Sequence, residues 1–136
     1  MTYVPLVCVL ILFNLLCVVP YASFGEWYLH EKFMHNAFLG FEYPHRAHTY
    51  HHKTFRANHS YHLGKSNKVD KIRMAWWNGI AIAFFAAIPF YLLSIPLIIV
   101  YSWVEGVALS ASALGTIFAY YCVYEYLHWC MHDPKD

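Results

Sequence analysis

The chain has 136 residues, of which 60% are hydrophobic and 12% charged, with a formal net charge of +1. That length suits one domain, but the apolar content excludes an ordinary soluble one, in which charged residues make up roughly a quarter. The near-neutral balance gives no bulk electrostatic case for nucleic acid as a partner, and four cysteines without a CxxC pair argue against a disulfide framework or a thiolate zinc site.

The first apolar block runs from about Tyr3 to Phe24. Its core, VPLVCVLILFNLLCVVPYASF, carries no charge and is long enough to cross a hydrocarbon layer ~30 Å thick. A secretory signal would want a basic start and a shorter apolar stretch. No Lys or Arg precedes Lys32, so a retained helix is expected. The segment from Gly25 to Arg73 is polar, aromatic and histidine-rich, punctuated by Gly40, Pro44 and Gly64. It reads as short helices and turns at the membrane surface.

From Met74 to about Trp129 the chain is apolar again, over a length too great for one crossing of about 20 residues. A helical hairpin is expected. Its first helix covers about Ala75–Tyr101, bent near Pro89 and Pro96 because proline removes a helix hydrogen bond. The turn lies around Ser102–Gly106, with a turn nearer Ser94–Pro96 as the alternative. The return helix runs from about Val107 to Trp129, and its small residues Ala108, Ser110, Ala111, Ser112, Ala113 and Gly115 would let it pack closely on a neighbour. Trp76, Trp77, Trp103 and Trp129 read as interfacial anchors. The expected fold is an all-α integral membrane protein with about three transmembrane helices, 1–136 forming one domain.

Orientation follows from charge. Eight of the nine Lys and Arg residues lie between the first span and the hairpin: Lys32, Arg46, Lys53, Arg56, Lys65, Lys68, Lys71 and Arg73. The ninth is Lys135. The positive-inside rule places this loop and the C-terminus in the cytoplasm. Arg56, Lys65, Lys68, Lys71 and Arg73 read as a solvated or headgroup-facing surface.

Ten histidines are the anomaly, eight of them between His30 and His62 and the others His128 and His132. They form four groups: His30 and His35 in HEKFMH, His48, His51 and His52 in HTYHH, His59 and His62 in NHSYH, and His128 and His132 in YEYLHWCMH. Residues three and four apart share a helical face. His48 therefore lines up with His51 and His52, and His128 with His132. Two imidazoles on one face can bind one metal while the odd neighbour reaches a second. His30 and His35, five apart, are separated by roughly 140° on a helix of 3.6 residues per turn. They can share an ion only if the helix ends or bulges near Phe33; otherwise each serves a different metal. Neutral imidazole suits iron, zinc, copper and nickel alike. Glu26, one turn before His30, and Glu125, three residues before His128, are placed to receive the other ring N–H of a ligating histidine; Glu31 also lies close by. His45 has no partner four residues on and follows Pro44, so it reads as structural.

These boxes resemble the fatty acid hydroxylase/sterol desaturase superfamily. The likeness rests on HEKFMH as an HX4H box, HTYHH as an HXXHH box and YEYLHWCMH as an HXXXH box. Their order agrees as well: one span, two boxes, a hairpin, another box. The resemblance implies a dinuclear iron centre that activates O2 to hydroxylate or desaturate a fatty acyl chain, a sterol or a carotenoid ring in lipid biosynthesis. Electrons would come from a cytochrome b5 or ferredoxin-type donor. It implies His30, His35, His48, His51, His52, His128 and His132 as metal ligands, with His59 and His62 as extra ligands or as partners that orient the ligands. No catalytic residue beyond the metal site is implied, and ligand type leaves zinc open. The membrane would be the endoplasmic reticulum or a bacterial inner membrane.

In one respect the chain departs from the superfamily pattern. The pattern carries another HXXHH box after the hairpin, and none follows His132 here. The expectation is a C-terminally truncated oxygenase whose residues 1–136 alone do not turn over substrate. The competing readings are a non-catalytic fragment and a histidine-rich membrane protein that binds or transports metal. A transporter should place ligands near the bilayer midplane, whereas the middles of the three expected spans carry no histidine and no charge except Glu105, which sits at the expected turn.

Overall fold

A computed structural model of the chain describes residues 4–37, 40, 42–56 and 76–132. All regular structure among them is helical. Helix α1 (Val4–Phe13) passes through a π-helical segment, Asn14–Val18, into α2 (Val19–Leu29), and a second π-helical segment, His30–Met34, ends the run. After Gly40 comes α3 (Glu42–Thr54), then α4 (Trp76–Ala86), α5 (Ile88–Val100) and α6 (Trp103–His132).

The helix 5–34 is continuous and apolar enough to cross a membrane, as is α6, and the bent pair α4–α5 makes a third candidate if it counts as one span. Only 11% and 17% of the most apolar stretches of the first two lie buried within the protein. Leu16 is 72% exposed and Ile99 77%. Uncovered aliphatic surface on helices of this length suits a membrane environment.

The sequence places short helices and turns from Gly25 onward, but helix persists to Met34. Nothing in 25–34 forces a stop: no proline occurs there, and Glu26 and His30 form an i,i+4 pair. The hairpin also departs in detail. The break falls at Ala87, with a bend of 44°. Pro89 is the second residue of α5, where its missing N–H costs nothing, and its ring disfavours continuation from the preceding helix. Pro96, by contrast, lies inside α5. The turn is only Tyr101–Ser102, so α6 starts four residues before the expected Val107 and runs past Trp129 to His132.

The described residues fall into two compact units. The first combines 1–24 with 77–121. Its core is Val18, Ala22, Ala83, Ala87, Phe90, Ala113 and Ile117. Four of these seven are alanines, which let helices approach closely where lipid supplies no hydrophobic push. Phe90 fills the remaining space and meets Phe13 and Tyr21 edge-on, at ring separations of 5.9 and 5.2 Å. Gly79 lies directly against the Tyr121 ring, and a side chain at Gly106 would meet Ile98 and, at 2.9 Å, the Ser94 carbonyl.

The second unit combines 25–76 with 122–136 and contains every described histidine. Gly40 turns the chain between the second π segment and α3 at φ 79°, a left-handed conformation that favours glycine. Pro44 sits in the first turn of α3, where helices accept it. His59, His62, Gly64, Lys65, Lys68, Lys71, Arg73 and Lys135 lie outside the described residues.

Candidate metal centre

The π segment His30–Met34 resolves the awkward five-residue spacing of HEKFMH. Its backbone closes i→i+5, the His35 N–H donating to the His30 carbonyl at 3.2 Å. One residue more per turn than in an α-helix brings positions five apart onto one face. The His30 and His35 rings stack with centroids 5.0 Å apart and their Nε2 atoms 3.1 Å apart. Side chains stabilise the segment's end. Asn36 Nδ2 donates to the Glu31 carbonyl, and His45 Nδ1 donates to the Met34 carbonyl, both at 3.1 Å. His45 therefore ties α3 to the π segment and belongs to neither histidine group.

On α3, His48 and His52 share a face, with Nε2 atoms 2.9 Å apart. His51 is the odd neighbour. Its Nε2 lies 3.3 Å from Nε2 of His128, which is 77 residues away in sequence. The ring centroids of His51 and His132 are 4.9 Å apart, and those of His128 and His132 5.1 Å. Two donor groups result: His30, His35, His48 and His52; and His51, His128 and His132. Within each, one nitrogen per residue lies within 4.8 Å of the others. The groups adjoin, since the His51 ring centroid is 5.7 Å from that of His52.

These separations fit metal binding. Metal–imidazole bonds of about 2.0–2.1 Å at tetrahedral or right angles put neighbouring nitrogens about 2.9–3.4 Å apart. The three Nε2 pairs, at 2.9, 3.1 and 3.3 Å, fall in that range. Each group could hold a metal ion, and the all-imidazole donor set does not select which metal.

Burial and neighbouring imidazoles keep two of the rings, His48 and His52, in the ligating form. The His48 pKa is pushed from 6.5 to about 3, first by burial and then by repulsion from His30, His52, His35 and His51. Burial followed by His35, His30 and His132 lowers that of His52. Clustered imidazoles disfavour one another's protonation, and metal binding requires the neutral form.

No protein-family model, no curated protein and no solved structure matches this chain.

The structure brings together all seven histidines of the three boxes, four in one group and three in the other. Of the two carboxylates singled out as orienting partners, Glu26 reaches His30, its Oε1 lying 3.7 Å from Nδ1. His128 Nδ1 is buried without a hydrogen-bond partner, so the structure makes no Glu125–His128 bond. Sequence reasoning passed over Phe55, which is 4% exposed and lies with its ring 4.6 Å from His132 and 5.2 Å from His51. Its signal was present: Phe55 follows His51 by four residues and so shares its helical face.

Proposed function

We propose that the chain is a membrane domain of a lipid-modifying di-iron oxygenase of the fatty acid hydroxylase/sterol desaturase kind. It hydroxylates or desaturates a fatty acyl, sterol or carotenoid substrate at the cytoplasmic face of an endoplasmic reticulum or bacterial inner membrane. The observation that carries this reading is the meeting of His51 with His128 and His132 beside the four-histidine group. Helices able to cross a membrane, with exposed aliphatic sides, support a lipid-borne substrate. The Lys and Arg residues that crowd the histidine segment support a cytoplasmic site.

Iron, bound by these rings, would supply the redox capacity for O2 chemistry. The protein's own contributions are distinct from that. His30, His35, His48 and His52 would hold one ion and His51, His128 and His132 the other. Burial, with crowding by the other rings, holds His48 neutral and ready to ligate, Glu26 biases the orientation of His30, and the Phe55 ring packs against His51 and His132. An external donor of cytochrome b5 or ferredoxin type delivers electrons. A transport role is less well supported, because residues 76–127 carry no histidine and ligands for a transported ion belong near the midplane.

The test is made in the cell that encodes the protein. Disrupting its gene should remove a lipid that is one oxygen heavier, or two hydrogens lighter, than its precursor. The wild-type gene should restore that lipid, and genes carrying His51→Ala or His128→Ala should not. An unchanged lipid profile after disruption would rule out the oxygenase reading.

A further inference from the structure

Two long helices carry histidines at their ends, and on each of them charge marks where the apolar stretch stops. On α6 the uncharged residues 106–124 lie between Glu105 and Glu125. At 1.5 Å per residue this stretch is about 28 Å long, close to the ~30 Å thickness of a hydrocarbon layer. His128 follows Glu125 by three residues and His132 by seven, so along the helix axis they stand about 5 and 10 Å past its end. The first long helix repeats the arrangement. No charged side chain precedes Glu26, and His30 follows it by four residues, about 6 Å on.

Aromatic residues mark the same level. Trp27 and Tyr28 are exposed on the first helix, and Tyr126 on α6. Tryptophan and tyrosine gather where a membrane turns from hydrocarbon to headgroup. Each helix therefore brings its histidines to the headgroup layer, where they meet those of α3: His128 Nε2 is 3.3 Å from His51 Nε2, and the His30 and His48 ring centroids are 4.6 Å apart. In that layer a lipid presents its polar group and the carbons beside it. Carbons in the middle of a chain lie deeper, and raising one takes methylenes out of hydrocarbon, which the hydrophobic effect opposes.

We infer that the centre acts on a carbon beside the lipid's polar group and not on one in the middle of its chain. This rests on the oxygenase reading and adds which carbon reacts. In hydroxylation one C–H bond becomes C–OH. O2 takes two electrons from that bond and two, with two protons, from the external donor and water, and its second oxygen leaves as water. In desaturation two neighbouring carbons each give up a hydrogen, and with the same two electrons and two protons both oxygens leave as water.

Copper(II) locates the centre without turnover, because it speeds the relaxation of nearby nuclei with a steep dependence on distance. The full chain is placed in phosphatidylcholine nanodiscs and loaded with copper. Relaxation should quicken most for the lipid phosphorus and the protons on the second acyl carbon, and least for the terminal methyls. The double variant His48→Ala/His128→Ala, which removes a donor from each group, should lose most of this effect. An effect strongest on mid-chain methylenes or terminal methyls would overturn the inference and leave metal binding intact. Absence of copper binding in the wild type would overturn the metal reading and the inference together. The lipid that disappears on gene disruption gives the second readout. Its oxygen or double bond should lie within the first few carbons from the polar group. A change in the middle of the chain would overturn the inference while the oxygenase reading stands, and an unchanged lipid profile would overturn both.

Discussion

The two π-helical segments of the first long helix use one backbone device for different ends. At Asn14–Val18, the Asn14 amide donates to the Leu10 carbonyl at 2.7 Å, and the Val19 N–H reaches back to the Asn14 carbonyl. The widened turn precedes Pro20, whose missing N–H would otherwise interrupt the ladder. Val18 at its end is fully buried in the alanine-rich core. At His30–Met34 the same i→i+5 closure delivers two imidazoles to one face, and side chains of Asn36 and His45 take up the carbonyls at its end. A bulge that serves packing thus recurs as a bulge that assembles donors. A histidine spacing that looks unsuited to a helix becomes a pair once the helix is allowed one residue more per turn.

The largest expected effect is on the second segment. His35→Ala removes one of the two aligned rings, and affinity at the four-histidine group should fall by more than about 100-fold, since loss of a mere orienting partner already costs about 10–100-fold. Binding at His51, His128 and His132 should stay as it was. Equilibrium dialysis against a competing chelator separates the two; equal weakening of both groups would mean that they do not hold separate ions.

A pH titration comes next. In the metal-free protein His48 has a pKa of about 3 against 6.5 in the unfolded chain. Between those values the unfolded chain binds the extra proton, so stability rises with pH across that window. The contribution is intact above pH 6.5 and is lost as pH falls towards 3, and His52 acts in the same direction. Thermal unfolding of the metal-free protein should therefore move to lower temperature on acidification below 6.5, and His48→Phe should flatten that dependence. A profile unaltered by His48→Phe would show that the ring is not held neutral.

The smallest effect belongs to the first segment. Asn14→Ala deletes the bond to the Leu10 carbonyl and should cost about 1 kcal/mol of stability. Metal affinity at both groups should not change. A matching fall in metal affinity would mean that the two segments act as one element.

Much of this was legible in the residues. Hydropathy marked the long helices, because apolar runs of that length have few other stable forms. Helical spacing lined His48 up with both His51 and His52 and sent one of the two to a second metal; in α3 it is His52 that joins His48, and His51 joins the other group. Other features lay beyond local pattern. The choice between a bulge and two separate metals for His30 and His35 depends on which carbonyls Asn36 and His45 cap, a contact between segments. The helix break at Ala87 precedes the proline that causes it, since proline acts on the residues before it. Phe55 carries no chemistry of its own, and only its packing against His51 and His132 reveals a role.

Boxes far apart in sequence are proposed to build one two-ion centre. Metal counting on purified protein tests it most directly, comparing wild type with His51→Ala and His128→Ala after loading with ferrous iron without O2. The wild type should hold two ions tightly, and each variant should lose the same single ion, although the two residues stand 77 positions apart. Wild-type iron content that survives in either variant would contradict it.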